Sequence, residues 1–263
     1  MSNANPAQVY RIPAFNDNYI WMLHNPLTKA LAVIDPGEAE PVLAALKDHN
    51  LTPTEIVNTH HHGDHIGGNE VLRERFDIPV MAPASEESRI ANITTSVRHG
   101  DCVTIAGYDA EVIETPGHTT GHVAFHLPDC GDGHGVAFVG DTLFSMGCGR
   151  VFEGTMAQMW ASLSALRALP DQTLICAGHE YSASNAKYVA SLNWPRAAAK
   201  AHMEAIHALR AKDEPTLPVM LKVEKDANPF LNCDADDLQQ AMGMAGADPA
   251  DVFAALREGK DAF

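Results

Sequence analysis

The chain is predicted to be an α/β protein that continues into a helical C-terminal part, and three observations predict it. Strand-like and helix-like segments alternate through the first two-thirds of the 263 residues. Past His179 strand signals nearly vanish, and Ala, Lys, Glu and Leu recur at helical spacing. Several His and Asp residues follow directly on apolar runs, at the strand ends where α/β folds tend to place their sites. The boundary suggested by this change of texture puts an α/β part at 1–176 and a helical part at 177–263.

The elements follow in order. Leu31-Ala32-Val33-Ile34-Asp35 is a β-branched run closed by the turn signal Pro36-Gly37. Pro41 to Asn50 reads as a helix with Val42, Leu43 and Leu46 on one face. Glu55 to Asn58 and Ile78 to Ala82 are expected to be buried strands flanking a helix at Asn69 to Phe76. Strands are expected at Cys102–Ile105, Ala110–Glu114, His122–Leu127 and Val136–Val139. Thr155 to Leu169 is a helix whose stripe of Met156, Met159, Trp160, Leu163, Leu166 and Leu169 is core, and Pro170 stops it. Thr173 to Ala177 is one more strand, running into Gly178-His179. Helices are expected at Arg196–Lys212 and Asp234–Met242, with a last one after Asp248-Pro249, a capping residue and a first-turn proline.

Composition excludes several classes. With 46% hydrophobic and 20% charged residues the chain is an ordinary globular protein able to bury a core. A net charge of -16 argues against nucleic acid or an anionic membrane as partner, since both require clustered Lys and Arg. No apolar stretch is long enough to span a bilayer, and Met1-Ser2-Asn3-Ala4-Asn5-Pro6 lacks the features of a signal peptide. The 5 cysteines, with no Cys-x-x-Cys, read as free thiols in a reducing compartment. A monomeric cytoplasmic enzyme acting on a small molecule is the simplest expectation.

The chemistry concentrates in Thr59-His60-His61-His62-Gly63-Asp64-His65. Read as His-x-His-x-Asp-His, it offers imidazole and carboxylate, the donors that zinc takes and that iron and manganese accept. In an extended turn His60 and His62 can point to one side while Asp64 and His65 reach a second point, so one segment can begin two metal sites. His118 in Pro116-Gly117-His118-Thr119, Asp141 in Gly140-Asp141-Thr142 and His179 in Gly178-His179-Glu180 each end a strand and complete the set.

These motifs resemble the metallo-β-lactamase superfamily, whose fold is an αββα sandwich of two mixed sheets between helices. Within it the chain resembles the glyoxalase II, or hydroxyacylglutathione hydrolase, family. The narrower match rests on Gly147-Cys148-Gly149-Arg150 with Phe152-Glu153-Gly154-Thr155, and on Lys222-Val223-Glu224-Lys225 with Asn228-Pro229-Phe230. The resemblance runs from Phe15-Asn16-Asp17-Asn18-Tyr19 to Phe230. It implies a catalytic domain at 1–176 and a helical substrate-binding domain at 177–263. It assigns one metal to His60, His62 and His118 and a second to Asp64, His65 and His179, with Asp141 bridging. Zinc is expected at both positions, with iron or manganese as substitutes.

The implied reaction is hydrolysis of the thioester of S-D-lactoylglutathione to D-lactate and glutathione by a hydroxide held between the metals, the second step of methylglyoxal detoxification. Asp64 and Asp141 are the implied catalytic carboxylates. Arg150, Tyr181, Lys222 and Lys225 are the implied substrate-binding residues, because glutathione brings two carboxylates. Some relatives carry Lys at position 150 and Tyr at position 152, so Phe152 lacks a hydroxyl that they have. His61 matches a spacer position and is expected to be solvated or to sit behind the ligands, and His122, His126 and His134 match no ligand position. The rival readings are a glutathione persulfide dioxygenase with one iron or a lactonase on the same fold, and a non-catalytic metal-binding module.

Overall fold

The computed structural model describes residues 6–131 and 133–263, so Met1–Asn5, part of the segment read as lacking signal-peptide character, lies outside it. The chain forms two compact units, one running to Glu114 and resuming at Gly121–Gly140, the other comprising Thr115–Thr120 and Asp141–Phe263.

The first unit is built on a six-stranded mixed sheet with strands in sequence order: β1 Gln8–Ala14, β2 Asn18–His24, β3 Leu31–Ile34, β4 Glu55–Val57, β5 Val80–Pro83 and β6 Thr95–Val97. β1, β2 and β3 pair antiparallel, and β3 to β6 pair parallel. Parallel neighbours need a crossover, which is why helices separate them in sequence. α1 (Ala39–His49) connects β3 to β4, and α2 (Gly63–Ile66) with α3 (Asn69–Phe76) connects β4 to β5.

α1 buries Val42 and Leu46, one turn apart, and ends where Asn50 turns left-handed at φ 53° and donates its N–H to the Leu46 and Lys47 carbonyls. With Leu72 of α3 they join Ile20, Met22, Leu31, Val33, Ile56 and Val80 in one core cluster. Truncating Leu72, which is fully buried, would cost about 2–5 kcal/mol by the usual large-to-small rule. The rest of this unit is the antiparallel ladder of β7 Cys102–Ile105, β8 Tyr108–Glu114, β9 Val123–Leu127 and β10 Val136–Gly140.

The second unit holds a tight hairpin, β11 Leu143–Phe144 with β12 Gly147–Cys148, and then α4 Met156–Arg167. α4 begins in a capping box: Thr155 accepts from the Gln158 N–H, and the Gln158 side chain accepts from the Thr155 N–H. Of the expected stripe Met159, Leu163 and Leu166 are buried, while Met156, Trp160 and Leu169 are only partly so, the last lying beyond the helix end. There follow β13 Leu174–Ala177, α5 Ser182–Ser191, α6 Ala197–Arg210, β14 Val219–Met220, α7 Leu221–Ala227, α8 Asp236–Ala241 and α9 Pro249–Ala262. Asp248 caps α9 by accepting from the Ala250 N–H, with Pro249 at the first helical position.

Several elements depart from the sequence reading: β1, β2, β6, the β11–β12 hairpin and α7 lie where it named none. A short strand, β14, pairs with β13 beyond the point where strand signals fade. A helix at Ser182–Ser191 was not foreseen, because its Ser- and Asn-rich start reads as loop. All five cysteines are free, with only Cys102 exposed. Among the described residues no helix is long and apolar enough to cross a membrane.

Candidate metal centre

In the first unit the cluster follows β4 directly. Asp35, at the end of β3 and left-handed at φ 51°, organises it. Its carboxylate accepts from the Thr59 N–H at 2.8 Å and the Thr59 hydroxyl at 2.7 Å, and lies 3.2 Å from His65 Nδ1. The Thr59 hydroxyl, having given its proton to Asp35, accepts from His60 Nδ1 at 3.0 Å. His60 must then turn its other nitrogen, Nε2, outward as an acceptor, and His62 Nδ1 lies 3.1 Å from it. His60 and His65 are buried. Asp35, His60 and His65 bring donor atoms within 4.8 Å of one another. Asp64, half-buried, is held by Asn18, whose side-chain amide donates to Asp64 Oδ2 at 2.9 Å.

His61 is neither a ligand of this group nor a solvated ring. Its Nδ1 lies 2.6 Å from Oε2 of buried Glu86, and Arg89 donates to Nε2 at 3.1 Å. Arginine cannot accept, so Nδ1 carries the proton toward Glu86 and His61 is a clamp on the loop. His122 stacks on His60 with centroids 4.8 Å apart, and His126 is a buried residue of β9, where burial pushes its pKa below the usual value. Gly140, at φ 46°, has no room for a side chain: a Cβ there would lie 2.6 Å from His122 Nε2.

In the second unit His118, Asp141 and His179 meet. Asp141 Oδ2 is 3.3 Å from His118 Nε2 and 3.3 Å from His179 Nε2, and all three residues are buried. His118 Nδ1 donates to the Arg150 carbonyl at 2.9 Å, which fixes the ring tautomer. In the neutral ring that bond leaves Nε2 an acceptor facing a carboxylate oxygen, and two acceptors at that distance repel unless a cation, a proton or a metal ion, is shared between them. This donor set fits a divalent metal ion. The His118 turn is pinned by Ser162, which donates to the Pro116 carbonyl at 2.8 Å, and by Glu153, which accepts from the Thr120 N–H at 2.9 Å. Gly149 approaches the Asp141 carbonyl so closely that no Cβ could stand there.

The expected substrate-binding residues all lie in this unit. Tyr181, partly exposed, stacks on His179 with centroids 4.7 Å apart and planes at 6°. Phe152, 61% exposed, packs over His118 at 5.2 Å. Arg150 is exposed, with Nε 3.5 Å from Asp261. Lys222 bonds Asp226 one turn along α7 at 2.6 Å, which raises its pKa. Lys225 donates to the Leu169 carbonyl at 2.7 Å and to Asp171 at 2.6 Å, which lowers the Asp171 pKa.

The same α7 segment also anchors the hairpin. Buried Glu224 accepts from the Ser145 hydroxyl at 2.7 Å and the Met146 N–H at 2.8 Å, and pairs with His202 at 3.0 Å. Asn228 donates to the carbonyls of Phe144 and Gly147. Sequence reading missed Asp35, Glu224 and Asn228 as organisers. The signal for Asp35 was the one that flagged Asp141, an aspartate ending an apolar run.

A family model described as the metallo-beta-lactamase superfamily matches residues 18–179, and one described as the hydroxyacylglutathione hydrolase C-terminus matches residues 180–263. The chain is 46% identical to a hydroxyacylglutathione hydrolase of Rhodospirillum rubrum, over 97% of this chain and 98% of the relative. It is 43% identical to one of Rhodopseudomonas palustris, over 97% and 99%. Among solved structures it is similar to the BLEG-1 B3 metallo-beta-lactamase, with 26% identity, 85% and 99% coverage and a TM-score of 0.63.

Proposed function

The chain belongs to the hydroxyacylglutathione hydrolase family of the metallo-beta-lactamase superfamily, and from that premise we propose how its residues carry out the reaction. The reaction is hydrolysis of the thioester of S-D-lactoylglutathione and related S-2-hydroxyacylglutathiones to the hydroxy acid and glutathione. The fold and its His/Asp clusters imply divalent metals. The proposed ligands are His60, His62 and His118 for one ion and Asp64, His65 and His179 for the other, with Asp141 shared. Zinc is the proposed metal at both, and iron or manganese suits the same donors.

The observation that carries this reading is the Asp141 oxygen 3.3 Å from two imidazole Nε2 atoms, one of them in a tautomer fixed by the Arg150 carbonyl. Bound divalent ions would supply a nucleophile at neutral pH, by lowering the pKa of water from about 15.7 to about 7, and a Lewis acid for the thioester carbonyl. Asp64, half-buried and steadied by Asn18, is proposed to orient the attacking water. The water oxygen adds to the carbonyl carbon as one of its protons passes to solvent, and the C–S bond breaks with both electrons leaving on sulfur. A thiolate is a good leaving group, so no strong general acid is required. Arg150, Tyr181, Lys222 and Lys225 are proposed to hold the glutathione moiety, where cations on a fixed scaffold complement its carboxylates.

The proposed functional division, catalytic at 1–176 and substrate-binding at 177–263, is supported by the meeting of the two family models at 179/180. The net charge of -16 and the free thiols support a cytoplasmic monomer without nucleic-acid or membrane partners. The test is hydrolysis of S-D-lactoylglutathione with metal content measured on the same sample. Turnover that a chelator abolishes and added zinc restores is expected. A fully metallated sample inert on glutathione thioesters but active on lactones would overturn the substrate assignment.

A further inference from the structure

Arg150 meets one residue of α9, Asp261, which Arg257 one turn earlier holds in place. Arg257, whose side chain is 5% exposed, donates from Nη1 to the Cys148 carbonyl at 2.9 Å and from Nη2 to Asp261 Oδ1 at 3.0 Å. The buried guanidinium also lies over the Phe230 ring, 5.4 Å from its centroid. The Cys148 thiol beside it stays protonated, because burial pushes its pKa up to about 11, so Arg257 faces no competing thiolate. Asp261 is thus immobilised by a buried cation. The same Oδ1 then lies 3.5 Å from Arg150 Nε.

Exposed ion pairs are weak chiefly because two mobile side chains must be ordered together. Here one partner is already ordered, so the pair orients Arg150 at a smaller entropic cost. Occupying Nε leaves both Nη groups of Arg150, which among the described residues carry no protein acceptor. Those two groups form the edge of a guanidinium that takes a carboxylate in bidentate fashion. The Arg150 carbonyl meanwhile bonds His118, so backbone and side chain are both fixed relative to one imidazole of the proposed metal centre. Lys260, on the same helix, is held to Ser184 by bonds of 2.8 and 3.1 Å, and Lys187 lies over the Phe263 ring.

We propose that Asp261 is a positioning residue for substrate recognition: through Nε it sets the Arg150 fork so that both Nη groups meet a carboxylate of the glutathione moiety. This rests on the reading of Arg150 as a substrate-binding residue. Removing the Asp261 charge sets two guanidiniums against each other and releases the fork.

The experiment is steady-state kinetics on metallated Asp261→Asn, Arg150→Ala and the double variant, with S-D-lactoylglutathione and with a lactoyl thioester of N-acetylcysteamine, which carries no carboxylate. Asp261→Asn is expected to raise KM for the glutathione thioester roughly two- to fivefold, the range a partly exposed pair supports, with kcat unchanged. The carboxylate-free thioester should not register the change, Asp261→Glu should restore most of KM, and the double variant should match Arg150→Ala.

An unchanged KM in Asp261→Asn alongside a raised KM in Arg150→Ala overturns the inference alone and leaves Asp261 as scaffold. An unchanged KM in Arg150→Ala overturns the substrate reading of Arg150 and this inference with it. Further loss of affinity on adding Asp261→Asn to Arg150→Ala shows that Asp261 acts elsewhere and also overturns it. If Asp261→Asn does not fold, the parent protein decides by NMR. Slowed solvent exchange of the Arg150 Nε–H supports the proposal, and exchange as fast as in free arginine overturns it.

Discussion

Replacing Lys225 by alanine separates a scaffold role from a substrate role, because the structure gives this residue enough donors for both. An ammonium has three N–H bonds. Two are committed within the protein, to the Leu169 carbonyl at 2.7 Å and to Asp171 at 2.6 Å, and the third remains for a glutathione carboxylate. A hydrogen bond to a charged group contributes about 1.5–3 kcal/mol. Loss of the Leu169 bond should therefore lower the melting temperature by roughly 3–12 °C, at about 2–4 °C per kcal/mol for a chain of this size. Loss of the substrate bond, worth the same, should raise KM roughly tenfold to a hundredfold while kcat holds. Asp171→Asn is the control: it removes the acid without removing the cation, so KM should not rise. The assay is a KM and kcat pair on S-D-lactoylglutathione at two ionic strengths. Salt should weaken the parent more than Lys225→Ala, since an accessible charge is screened within about 10 Å. A variant that melts early yet keeps the parental KM refutes the substrate role and leaves Lys225 to the scaffold.

Other consequences follow from the same geometry. Asp141→Ala should abolish turnover and metal retention together, measured by elemental analysis. His61→Ala should keep its metal and most activity but melt lower, because its ring serves Glu86 and Arg89; equal metal loss in the two would mean the cluster register is misassigned. Asp35→Asn should weaken metal affinity about 10–100-fold, the usual effect of losing a residue that orients a ligand imidazole, and unchanged affinity would remove Asp35 from that role. His126 supplies a pH dependence. Burial holds its pKa below 6.5 in the folded protein, so the unfolded chain takes up the proton first as pH falls. The stability that this residue contributes is complete above 6.5 and is lost as pH falls toward the folded value. His126→Leu should flatten the loss of urea resistance on acidification, and an unchanged pH profile would show that His126 does not carry it.

What could be read beforehand, and what could not, divides by the range of the interaction. α3 was legible to its ends, Asn69 and Phe76, and β7 likewise, because local periodicity and turn residues set both. The His and Asp residues proposed as ligands stood out because imidazole and carboxylate at strand ends have few structural uses, and the structure gathers them into clusters of donor atoms. The resemblance gives His61 a spacer position, behind the ligands or solvated, but nothing local announces Glu86 and Arg89, more than twenty residues away, as its partners. Glu224 and Asn228 sat inside a motif read for its lysines. Their use, holding Ser145, Met146, Phe144 and Gly147, depends on contacts about eighty residues apart that no periodicity encodes.

An acidic chain whose substrate carries two carboxylates faces an electrostatic difficulty, and the distribution of its cations bears on how it is met. Of the 18 Lys and Arg residues, 11 lie at or beyond Asp141, so the second unit carries most of the positive charge. Yet none of the three proposed substrate cations presents a bare charge. Arg150 has Asp261, Lys222 has Asp226 and Lys225 has Asp171. Each pair is nearly neutral at a distance, so a nucleic acid or an anionic surface gains little from approaching it. At contact the pairs differ from neutral surface, because each still offers N–H donors, placed by Asp261 at Arg150 and by the Leu169 carbonyl at Lys225. Selectivity for the glutathione moiety then rests on donor geometry within hydrogen-bond reach rather than on long-range attraction. That is the arrangement by which a chain of net charge -16 can hold a doubly carboxylated substrate without collecting other anions.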